Sequence, residues 1–79
     1  MALLKEFSVV ALTADLPEYG LKRGDTGAIV MVHEDHGGGY EVEFITMTGQ
    51  TVAVVTLTPR QVRAIGPREI ASARTLDAA

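Results

Sequence analysis

The chain has 79 residues, no cysteine and a formal net charge of −3 at neutral pH. That length gives one small domain with a modest core, and the lack of cysteine excludes disulfides and thiolate metal sites. The basic residues are dispersed, with Lys22-Arg23 as the densest pair, which counts against a phosphate-binding face built on counterion release.

No apolar run approaches the ~18 residues of a membrane helix. The segment 1–6 lacks the basic-then-apolar order of a signal peptide. The expected compartment is the cytoplasm, with no membrane contact. Aromatic residues are few (Phe7, Tyr19, Tyr40 and Phe44), so the core must be aliphatic.

The lead-in, residues 1–7, carries Ala2, Leu3 and Leu4, which suit either a helical turn or an edge segment. Phe7 is expected to anchor a first strand over 8–12, with Val10 and Leu12 inward and Val9 partly covered. Residues 13–23 read as a loop in which Pro17 fixes φ and removes a donor. Leu16, Tyr19 and Leu21 are apolar within it. Their expected role is to plug an open end of the core; the functional alternative is that Tyr19 lines a groove.

The segment Gly20-Leu21-Lys22-Arg23-Gly24-Asp25-Thr26-Gly27 is the first tight corner. Gly20, Gly24 and Gly27 permit positive φ or a close backbone approach, and Asp25 can bond local amides. A β-branched strand follows over 26–33. Residues 34–39 form a hairpin loop, with Gly37, Gly38 and Gly39 supplying positive φ. The strand over 40–45 alternates strictly: Tyr40, Val42 and Phe44 on one face, Glu41 and Glu43 on the other.

Residues 46–50 make a second hairpin turn, with Gly49 at the positive-φ position. In the strand over 51–57, Val52 and Val54 fall on one face and Ala53, Val55 and Leu57 on the other. A strand apolar on both sides needs a cover, and a second copy of the chain is the simplest one. Pro59 marks a one-turn 3₁₀ helix before a short fifth strand over 62–65. The expected organisation is all-β: a five-stranded SH3-like barrel over 1–66, whose closure removes most edges, and a tail over 67–79 that is a short helix or disordered.

These residues carry a resemblance. The run 9–21 (Val-Val-Ala-Leu-Thr-Ala-Asp-Leu-Pro-Glu-Tyr-Gly-Leu), then Gly24-Asp25-Thr26-Gly27-Ala28-Ile29-Val30, resembles a family of small bacterial proteins defined as a domain of unknown function. The segments 40–44 and 51–57 match its style, and the likeness spans about residues 5–66. It implies an SH3-like barrel and brings no activity with it. The corner 24–27 is more distantly similar to the KOW motif of ribosomal and elongation proteins. That motif implies RNA or protein contact, but this chain lacks the basic and aromatic residues such RNA contacts use.

Candidate sites are sparse. His33 and His36, with Glu34 and Asp35 between them, suggest a metal site, but zinc requires three or four convergent ligands on rigid supports, and a solvated hairpin accounts for them. Glu41 and Glu43 share one strand face about 7 Å apart; paired acid–base carboxylates would need a cleft to split their pKa values. The glycine run 37–39 lacks the lysine and helix of a phosphate loop. Ser8 has no histidine or acid beside it.

The expectation is therefore a non-enzymatic protein-interaction module without metal or cofactor, forming a homo-oligomer. Its candidate contact residues are Val52, Val54, Leu16, Tyr19 and Met31, with Met47 a further one. The alternatives are a KOW-like nucleic-acid module using Lys22, Arg23, Arg60 and Arg63 on one face, and an antitoxin- or immunity-type regulatory partner.

Overall fold

A computed structural model describes residues 4–35 and 37–76. Five antiparallel strands, β1 (Val9–Leu12), β2 (Thr26–His33), β3 (Gly39–Ile45), β4 (Thr51–Leu57) and β5 (Val62–Ala64), form one sheet in the order β4-β3-β2-β1-β5. The described residues contain no α-helix. The sheet is open: β4 and β5 are its edges and do not pair with each other. The expected closure into a barrel is not seen.

The inner face follows from alternation. Val10, Leu12, Ile29, Tyr40, Val42, Phe44, Val55, Leu57 and Val62 are buried there. Tyr40 keeps its hydroxyl satisfied as the acceptor for the Leu4 backbone N–H at 3.3 Å, so Leu4 packs on the core. Ala2 and Leu3 lie outside the described residues.

Two departures from regular pairing shape the sheet. In β2, Ile29 faces Val42 but Met31 faces Glu41, leaving Val30 as an extra residue. In β4, Ala53 faces Phe44 but Thr51 faces Ile45, leaving Val52 extra. Such bulges bend a strand and re-aim the side chains beyond them. Unbroken alternation would have turned Met31 and Thr51 inward; the bulges set both outward.

The loop between β1 and β2 closes on itself. Leu16 and Leu21 exchange backbone hydrogen bonds at 2.9 and 3.1 Å, and both side chains are buried. Between them the one 3₁₀ turn among the described residues spans Pro17–Tyr19 and ends on Gly20 at φ 70°. The sequence places the 3₁₀ turn at Pro59 instead. The two prolines differ in the bonds made just after them. At Pro17 two successive bonds form, Tyr19 N–H to Leu16 O and Gly20 N–H to Pro17 O; at Pro59 only Gln61 N–H to Thr58 O forms, giving a single turn.

Two further expectations need correction. Phe7 does not anchor the core: it is 75% exposed at φ 68°, a region that non-glycine residues avoid. Its backbone N–H donates to Ile29 O at 2.6 Å, so the main chain, not the ring, holds the start of β1. Val9 is 55% exposed rather than partly covered. Of the two forms expected for the tail, short helix or disorder, no helix is present over residues 67–76. A turn follows β5, with Glu69 N–H bonded to Gly66 O at 3.2 Å, and the tail doubles back until Arg74 reaches the corner at Asp25.

Candidate functional site: the outer face of the sheet

The register aligns one row across the outer face: Val9 opposite Ala28, Ala28 opposite Glu43, and Glu43 opposite Val54. Val9 is 55% and Val54 52% exposed. The next row sets Met31 opposite Glu41 and Glu41 opposite Thr56. Met31, Ile45 and Met47 are also exposed. This face is an apolar stripe crossed by two carboxylates.

Neither carboxylate is left loose. Glu41 accepts hydrogen bonds from the Thr56 hydroxyl at 2.6 Å and from His33 Nε2 at 2.7 Å. The Thr56 bond and then His33 hold its carboxyl below the usual range, so it is ionised at neutral pH and a poor proton donor there. Glu43 accepts from the Thr51 hydroxyl at 2.9 Å, a contact that depends on the bulge at Val52. Both threonines belong to β4, so β4 supplies a polar partner to each acid of β3.

Two depressions, both open to solvent, flank this face. One, about 310 Å³, is lined by His33, Asp35, Gly38, Gly39, Thr56, Leu57 and Thr58. The other, about 350 Å³, lies over Val9, Ala28, Glu43, Ile45 and Met47. No group of three or more metal-ligating side chains occurs among the described residues. His33 is turned to Glu41, and His36 lies outside the described residues, as does any pairing of the two.

The glycine corner is a structural device. Gly20, Gly24 and Gly49 stand at φ 70°, 91° and 89°. Gly27 serves by close approach: a Cβ there would lie 2.7 Å from Val42 Cγ1 and 2.9 Å from the Glu43 carbonyl oxygen. Asp25 accepts the Lys22 backbone N–H at 2.8 Å and both Nε and Nη2 of Arg74, at 2.8 and 2.5 Å. Arg74 Nη2 also donates to Gly20 O at 2.9 Å. Burial alone would raise the Asp25 carboxyl, but Arg74 and the Lys22 amide together hold it below its ordinary value. Sequence reading missed Arg74, because a lone arginine in a tail carries no signal of its target.

The candidate contact residues separate on this geometry. Val54 and Met31 lie on the outer face, and Tyr19 is exposed on the loop. Leu16 belongs to the core, and Val52, the bulged residue, packs against it; both leave the surface set. Of the four basic candidates, Arg63 is engaged by Glu69 at 2.7 Å. Arg60 lends its carbonyl to the Thr13 hydroxyl, and Arg23 donates its backbone N–H to Asp15.

An open all-β sheet with an exposed, partly apolar face defines the class of molecule. The chain belongs to the family described as "Domain of unknown function (DUF4926)", whose model matches residues 6–64. Comparisons with curated proteins and with solved structures gave no match. No helix among the described residues is long and apolar enough to cross a membrane.

Proposed function

We propose that this domain is a non-catalytic protein-interaction module: the outer face of β1–β4 is its contact surface, and the chain self-associates at the Val54 end of that face. One observation carries the reading: Val9 and Val54, both more than half exposed, end a row that runs unbroken across four strands. Exposed apolar side chains grouped on one face mark a contact surface better than the same residues scattered. The strand order, β4-β3-β2-β1-β5, supports the SH3-like reading of the fold, with its seam left open. The engaged state of Arg63 and the acidic net charge favour a protein partner over nucleic acid.

The test is static light scattering on the purified chain and on Val54→Glu. The expected result is a self-associated wild type and a variant shifted to the 8.4 kDa chain mass. A wild type that is monomeric and indifferent to the substitution removes self-association from the reading.

A further inference from the structure

We infer that two copies of this chain join through their β4 edges, antiparallel about a two-fold axis at Val54, so that two open sheets become one. This rests on the self-association proposed above and specifies how it occurs. The first ground is the state of the edge. β4 pairs with β3 alone, and among the described residues no hydrogen bond reaches its backbone from the other side. Sheet edges are normally blunted by charge, proline, bulges or a covering segment, because a bare edge templates another strand. The sequence 51–57, Thr-Val-Ala-Val-Val-Thr-Leu, has no charge and no proline. Its bulge, at Val52, sits near one end and leaves 53–57 regular.

The second ground is self-complementarity. Antiparallel pairing centred on Val54 sets it opposite its own counterpart and Ala53 opposite Val55. Inward Ala53 then meets inward Val55, and the outer apolar row continues across the seam; the bulge at Val52 limits this match to residues 53–55. The opposite edge does not offer this. β5 has three residues, and the turn after it carries Glu69 back onto Arg63.

The third ground is charge, and it decides between two ways of meeting. Stacking two outer faces would press Glu41 and Glu43 of both copies into one dry contact, where desolvation can exceed any gain. Edge pairing leaves those carboxylates on the solvent side. It separates Glu43 from its counterpart by three strand spacings, roughly 14 Å, and Glu41 from its own by more, both beyond the ~8 Å screening length at physiological salt.

The chain has no cysteine, so single introduced thiols report the geometry. Val54→Cys is expected to form a disulfide-linked dimer under mild oxidation, since directly opposed residues lie within bridging distance. Thr51→Cys is expected not to, because its counterpart would sit six positions away along the strand, roughly 20 Å. Met31→Cys, on the face but off the edge, is also expected to stay unlinked. In light scattering, Val54→Lys is expected to weaken the dimer at least tenfold while Met31→Glu leaves it intact. If the wild type dimerises but Met31→Cys cross-links and Val54→Cys does not, edge pairing is overturned and self-association stands. A wild type that stays monomeric at roughly millimolar concentration overturns both.

Discussion

The two edges of this sheet are finished differently. At β5 the strand is short, a turn follows immediately, Arg63 is paired with Glu69, and the tail returns to fasten Arg74 on Asp25. At β4 the strand is long and uncharged, and nothing among the described residues pairs with it but β3. The chain uses its tail on one edge and leaves the other bare. Under the pairing proposed above, that open edge is the one a second copy would use.

The comparison breaks first at the anchors. Leu57, on β4, is 2% exposed, and Leu57→Ala should destabilise the monomer by about 3 kcal/mol, read from urea denaturation below the association concentration. If β4 is the self-pairing strand, this variant should also pair less tightly and so gain less stability than the wild type as protein concentration rises. Val62→Ala on β5 should cost about 2 kcal/mol and keep the full wild-type gain with concentration. Equal concentration dependence for the two variants would erase the distinction between the edges.

The tail contact gives a smaller effect. Asp25→Ala should cost about 1–2 kcal/mol, since it removes the side-chain acceptor of the Lys22 amide and the carboxylate partner of Arg74. Arg74→Ala should cost about 0.5–1 kcal/mol, as for a partly exposed pair. The sign of the pH dependence comes from Asp25. Its folded-state carboxyl lies below its ordinary value of 3.8, so its contribution is complete above that value and is lost as pH falls through the folded one. The stability difference between wild type and Arg74→Ala should therefore shrink in acid, and a difference that persists at the lowest pH where both fold would contradict this account. The smallest effect belongs to His33→Gln, expected within about 0.5 kcal/mol because its pair with Glu41 is still partly open to solvent and Glu41 keeps the Thr56 hydroxyl.

Much of the sheet could be read from residues alone. The alternation of β3 and the positive-φ glycines at 20, 24 and 49 are local, so the chain states them directly. The bulges are not local. Which valine becomes the extra residue depends on the partner strand's register, and for that reason β4 reads as apolar on both faces when Val52 in fact turns to the core. Leu16 fails as a contact residue for a related cause: an apolar residue in a loop does not announce the bridge to Leu21 that pulls it inside. Pro59 and Pro17 carry the same signal, and only the glycine after Tyr19 separates a 3₁₀ turn from a single bend. The outer row Val9–Ala28–Glu43–Val54 draws on four strands, so no stretch of sequence contains it.

The Arg74 clasp has a bearing on the order in which the chain assembles. It joins positions 49 apart, and it needs the corner formed and β5 already laid beside β1. Contacts of such long range close after local ones. A contact made that late leaves the rate of refolding alone and acts on the rate of opening. The tail of this domain is thus a latch set after the sheet has formed, and its loss should show as faster unfolding in a stopped-flow trace whose refolding limb is unchanged.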